Sequence, residues 1–336
     1  MSGVSVEIVG AVGYLTLTRT ATLNAITQDM VDELHNGLRE HVDNAAVKVV
    51  VLRSASEKAF CAGGDMKRIR QLVLDNDKAA IKNFFTREYA LNLAIAECPK
   101  PYISLIDGVA MGGGLGLSVH GRYVVATEKA LMAMPEARIG FFPDVGASHF
   151  LQQLPYSCGI WLALTAAPVR AKQTVQVGLA THYIKHDQLP LLLTQLENLN
   201  KEHAGSEGVK ETDNASGIVQ SCLDGLSESA LDDEFNEVLR QRKEWFSGGD
   251  VESIKAQLTD ASSQSDDAKK LLSLMDKGSP YSFTTTLSLF EKTKGMTLEN
   301  CLAIELELSM EAAFHPDLVE GVRAVLVDKD HKANWA

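Results

Sequence analysis

Through its first 126 residues the chain repeats one pattern: a short β-rich run, a turn bearing glycine, then an apolar period of helical spacing. Val4–Val9 and Gly13–Thr18 read as a hairpin joined by Gly10-Ala11-Val12. Thr27 precedes Met30, Val31, Leu34, Leu38 and Val42, which predicts a capped helix over 28–42. Val47–Arg53 is nearly continuous in β-branched residues, the pattern of a strand buried on both faces of a parallel sheet. A loop, Ser54 to Asp65, ends in Cys61-Ala62-Gly63-Gly64-Asp65. A helix over 77–97 stops at Pro99 and Pro101. Tyr102–Ile106 is the next strand, and Gly112-Gly113-Gly114 opens a short helix before the strand Tyr123–Ala126. Alternation of this kind belongs to α/β proteins.

From about 185 the strand signals nearly vanish. Residues 187–202, 229–246, 266–277, 280–294 and 297–313 read as helices, and the polar stretches 203–217 and 247–266 as loops. The expected organisation is an α/β core over 1–205 and a helical C-terminal region over 206–336.

Composition excludes several function classes. A net charge of −12 without basic blocks argues against nucleic acid as a partner. No apolar run is long enough to span a membrane. The N-terminal residues enter a strand pattern at once and lack the features of a secretory signal, so secretion is not expected. Cys61, Cys98, Cys158, Cys222 and Cys301 are far apart and form no CxxC, which suits free thiols in a reducing compartment.

Familiar motifs are missing. The chain has no GxxxxGK[ST]. Val119 stands where GxGxxG needs its third glycine, and His120 where a GxSxG elbow needs its last. His182 and His186 are four apart without a third ligand nearby, so no metal is expected. Two features remain. Ala62-Gly63-Gly64-Asp65 and Gly112-Gly113-Gly114 each join a strand to a helix. Such turns can aim N–H groups at an oxyanion, with Gly64 and Gly113 donating, or can simply permit a tight turn. Pro135-Glu136 and Pro143-Asp144 place two carboxylates at expected helix N-termini, separated by a largely apolar stretch. They serve either as surface caps or as an acid/base pair whose apolar surround raises their pKa.

Taken together, Lys58-Ala59-Phe60-Cys61-Ala62-Gly63-Gly64-Asp65 and Pro101-Tyr102 through Met111-Gly112-Gly113-Gly114 resemble the two oxyanion segments of the crotonase (enoyl-CoA hydratase/isomerase) superfamily. The resemblance implies a crotonase-type spiral of ββα turns and an acyl-CoA thioester as substrate. Hydratases of the superfamily carry a catalytic Glu two residues after the glycine triplet, where this chain has Gly116. The closer likeness is to the branch that hydrolyses 3-hydroxyisobutyryl-CoA in valine breakdown. It is carried by Met134-Pro135-Glu136, Ile139 through Gly146, Gly178 through His182 and Glu320 through Ala324, and is weakest over 190–275.

That likeness implies Glu136 and Asp144 as catalytic carboxylates, Gly64 and Gly113 as oxyanion donors, and Glu88, Gly113, Glu136 and Asp144 as substrate-binding positions. On helical pattern alone Glu88 reads as solvent-facing. Glu136 would either attack the carbonyl, forming a mixed anhydride, or activate a water. The likeness implies no metal or redox cofactor, since CoA is part of the substrate. Lys329 or Arg323 would meet a CoA phosphate or remain a solvated surface charge. A homo-oligomer is a further expectation, located in the cytoplasm of a bacterium or the mitochondrial matrix of a eukaryote. A hydratase or isomerase reaction on another acyl-CoA, and acyl-CoA binding without catalysis, are the alternatives.

Overall fold

Thr27 caps the first helix, as its place before an apolar period predicts. Its Oγ1 accepts a hydrogen bond from Met30 N at 3.4 Å, and the helix runs Gln28–Asp43. Met30, Val31, Leu34 and Leu38 on its inner stripe are buried. The computed structural model describes residues 3–199 and 211–336. The chain forms two compact units, each assembled from separate stretches. The first comprises Met1–Gly63, Ala90–Met132 and Val169–Leu231; the second comprises Gly64–Tyr89, Ala133–Pro168 and Asp232–Ala336. The division expected at 205 lies outside the described residues, and both units are discontinuous in sequence.

The first unit is built on a sheet of six strands in the order Val4–Val9, Val12–Leu17, Val49–Ser54, Tyr102–Ile106, Tyr123–Ala126 and His182–Tyr183. The first two are an antiparallel hairpin registered from Val4↔Leu17 to Val9↔Val12, and all later pairings are parallel. Crossover helices cover a parallel sheet, so its strands are buried: Val49, Val50, Val51 and Leu52 are fully so. A second sheet runs Ala59–Cys61, Val109–Met111, Leu131–Ala133, Val169–Arg170. Strands of two or three residues carry no readable period, and only the glycine turns after the first two mark them in the sequence.

Helices dominate the second unit: Met66–Leu74, Cys158–Thr165, Asp233–Trp245, Val251–Ala261, Asp266–Met275, Pro280–Thr293, Leu298–Ala313 and Pro316–Val322. Most begin at a side-chain cap. Asp232, Asp250, Ser265, Ser279 and Thr297 each accept from the backbone N–H three residues on. The helix Val251–Ala261 corrects the expectation of a loop over 247–266. Its apolar stripe is short, with Ile254 and Leu258 buried, and the Asp250 cap starts it. Likewise, residues 211–217 open the helix Glu211–Leu226, while 203–210 of that expected loop lie outside the described residues. Arg323 is engaged by carboxylates: its guanidinium bonds Glu320 at 2.8 Å, Asp328 at 2.6 Å and Asp330 at 2.9 Å. That occupies the donors a phosphate would need.

Candidate active site

The helix Lys78–Ala96 exposes Lys82, Asn83, Thr86 and Arg87 on one face and buries Ile81, Phe84, Phe85, Tyr89, Leu91 and Ile95. Glu88 stands on the inward stripe, seven residues after Ile81 and seven before Ile95, and is only 2% exposed. This corrects the expectation of a solvent-facing Glu88.

Glu136 opens a 3₁₀ turn, Glu136–Ile139, directly after the strand Leu131–Ala133. The turn closes at Gly140, where φ is +73° and a Cβ would stand 2.1 Å from Asp317 O; only glycine fits there. Asp144 lies outside any helix, at the start of a turn in which its carbonyl accepts from Ala147 N at 2.9 Å, which corrects the expectation of a helix N-terminus. The next helix is delayed to Ala147–Phe150 because Val145 and Gly146 both take left-handed backbone, φ +54° and +83°. Glu136 and Asp144 are each 6% exposed.

The second unit thus brings Glu88, Glu136 and Asp144 together in a buried cluster. Phe141 stacks on Phe85 at 5.7 Å and on Phe142 at 4.7 Å, beside the turn that carries Glu136. Burial pushes the Glu136 carboxyl well above the ordinary range, and the charge of Asp144 adds to it. Glu88 is raised by the same two causes in the same order. Asp144 is pushed up to about 7 by burial, against a hydrogen bond from Tyr89 that favours its charged form. Tyr89 Oη donates to Asp144 Oδ2 at 2.7 Å and lies 2.6 Å from Ser309 Oγ. Glu88 Oε1 and Glu136 Oε2 are buried without a hydrogen-bond partner. Buried oxygens left unpaired are costly in a finished core and useful where a ligand completes them.

Three polar residues beside the cluster escaped the sequence reading: Tyr89, Glu305 and Ser309. Glu305 is fully buried and accepts from Gly146 N at 2.7 Å, Ser148 N at 2.9 Å and Ser148 Oγ at 2.6 Å. A signal for it existed. Cys301, Leu302, Glu305, Ser309 and Ala312 fall on one helical stripe, so a carboxylate stands where the period calls for an apolar residue.

The glycine turns shape the first unit. Gly63 and Gly112 have positive φ, +92° and +50°. A Cβ on Gly63 would stand 2.9 Å from Met111 O and 3.5 Å from Gly113 N, so the first turn's backbone lies against the second within this unit. Gly113 begins the helix Gly113–Gly116, where N–H groups have no intrahelical acceptor. Gly116 is buried and brings no carboxylate. Gly64 begins the second unit, ahead of the Asp65 cap on the helix Met66–Leu74. His182 bonds Asp224 at 3.3 Å and His186 bonds Asp107 at 2.8 Å. Among the described residues no group of three His, Cys, Asp or Glu could hold a metal ion, and no helix is long and apolar enough to cross a membrane.

The first unit thus carries strands in parallel order with paired glycine turns, and the second a buried carboxylate cluster. Residues 12–336 match the Enoyl-CoA hydratase/isomerase family, and the chain belongs to it. It is 37% identical over 332 residues to the mitochondrial 3-hydroxyisobutyryl-CoA hydrolase of Xenopus laevis, covering 97% of this chain and 82% of that protein. Among solved structures it is similar to a carnitinyl-CoA dehydratase from Mycobacterium thermoresistibile, with TM-score 0.86, 32% identity and coverage of 98% and 91%. It is also similar to an enoyl-CoA hydratase from Rhodobacter sphaeroides 2.4.1, with TM-score 0.84, 30% identity and coverage of 99% and 92%.

Proposed function

We propose that this chain hydrolyses 3-hydroxyisobutyryl-CoA to the free 3-hydroxy acid and CoA, a step of valine breakdown. The observation that carries the reading is the pairing of buried Glu136 and Asp144 in one unit, with Gly116 where a hydratase needs its other carboxylate. The likeness to a named 3-hydroxyisobutyryl-CoA hydrolase supports it. Backbone N–H groups of Gly113 and Gly64 polarise the thioester oxygen. Glu136, whose Oε2 has no partner, attacks the carbonyl or activates the water that does. CoA leaves as the thiolate, and Asp144, poised near neutrality, takes the proton that water gives up on hydrolysis and returns it to the sulfur, giving the thiol. Glu88 receives the 3-hydroxyl through its unpartnered Oε1. The reaction needs no metal or redox cofactor.

The test is CoA release from 3-hydroxyisobutyryl-CoA and from isobutyryl-CoA, read with a thiol reagent. Release favouring the hydroxylated substrate is expected; acyl-CoA binding without release from either would remove the hydrolase reading. Glu88→Leu keeps the burial and deletes the acceptor. It should lower kcat/KM for 3-hydroxyisobutyryl-CoA by about 10–100-fold, the value of one buried hydrogen bond, and leave isobutyryl-CoA within about threefold.

A further inference from the structure

Val145 is a β-branched residue in left-handed backbone at φ +54°, next to the carboxylate that manages the proton. Such a conformation is costly for a β-branched residue and persists only where the surroundings impose it. Here they do. The N–H of Gly146, within the left-handed pair Val145-Gly146, and the N–H of Ser148 just after it both donate to the Glu305 carboxylate, and the Ser148 hydroxyl adds a third bond. Four residues further along the same helix, and so on the same face, Ser309 meets the Tyr89 hydroxyl that bonds Asp144. Glu305 and Ser309 are both fully buried.

We propose that the helix Leu298–Ala313 is a positioning element for Asp144: Glu305 holds the turn that follows it, and Ser309, through Tyr89, holds its carboxylate. The hydrogen-bond directions follow from the chemistry. When Asp144 is ionised it can only accept, so Tyr89 donates to it and Ser309 donates to Tyr89. The chain of donors then points at one oxygen and favours the charged form over the neutral one. The charge of Asp144 in turn raises the carboxyls that face it: Glu88 from the helix Lys78–Ala96, Glu136 from the preceding turn and Glu305 from the helix Leu298–Ala313. What opposes the charge of Asp144 itself is burial, and the hydrogen bond from Tyr89, backed by Ser309, offsets it. Neither needs to touch substrate, and both act through Asp144.

This inference rests on the role given to Asp144 above, and its test separates the two. Tyr89→Phe removes the donor and keeps the ring. The rising limb of kcat/KM against pH should move up by about one unit and kcat should fall about tenfold, with KM within twofold. Ser309→Ala should move the limb the same way by less, and Ser309→Thr should restore it. Glu305→Gln should lower kcat about tenfold or more, again with KM little changed. A limb unmoved in both Tyr89→Phe and Ser309→Ala overturns the proposal, whatever happens to kcat. The ¹³C carboxyl titration of Asp144 in wild type and Tyr89→Phe reads the same shift without turnover. If wild type releases no CoA, the proposed function fails, but an upward shift of that titration still supports the positioning role and an unchanged midpoint still overturns it.

Discussion

Replacing Glu136 by Gln abolishes CoA release: kcat falls by about a thousandfold or more while KM stays within a few-fold. An amide of the same size neither attacks a thioester nor takes a proton from water, so both routes open to Glu136 are lost together. The change removes chemistry rather than packing, because the side chain is buried and its Oε2 has no protein partner to lose. A loss confined to kcat marks an interaction used in the transition state; a loss confined to KM would mark a binding residue. Steady-state thiol release on wild type and Glu136→Gln, at saturating 3-hydroxyisobutyryl-CoA, separates the two.

Asp144→Asn carries the second large effect, on rate and on pH dependence. Turnover should fall about 10²–10⁴-fold, the range for losing a positioned acid or base. In wild type, kcat/KM should rise with pH through about 7 as Asp144 ionises and further as Glu136, raised by burial, loses its proton; Asp144→Asn should remove the first part of that rise. Stability should run the opposite way. Burial raises the folded-state pKa of Asp144 from 3.8 to about 7. Over that window the folded protein keeps a proton the unfolded chain has released. The stabilisation is therefore complete below about pH 4 and is lost as pH rises through about 7. For Asp144 taken alone the loss is on the order of 4 kcal/mol. Thermal melts at pH 5 and pH 8 should show wild type less stable at pH 8, with a smaller difference in Asp144→Asn. The same substitution that destroys activity should thus raise Tm at pH 8, the trade expected where like charges are crowded for function.

Much of this architecture is readable in the residues. Thr27 and its apolar period announce the first helix, and Val49–Leu52 announce a parallel strand, because each signal is local and regular. Pro135-Glu136 and Pro143-Asp144 stand out because proline and carboxylate sit at turns. The buried partners escaped for a different reason. Glu305 and Ser309 lie on the apolar stripe of their helix, and Glu88 lies seven residues from both Ile81 and Ile95, but a lone polar side chain on a helix is ordinarily read as facing water. Val145 was hidden because left-handed backbone in a β-branched residue contradicts local preference. It delays the helix expected at Asp144, so the same strain that defeated the sequence reading shapes the site. The helix Val251–Ala261 was obscured by its polar composition, since its buried stripe offers little beyond Ile254 and Leu258.

The most direct measurement runs two assays on one preparation: thiol release from 3-hydroxyisobutyryl-CoA and hydration of crotonyl-CoA. Gly116 in place of a second hydratase carboxylate, with Glu136 and Asp144 buried side by side in the second unit, predicts rapid release and no hydration. Hydration without release would contradict the account.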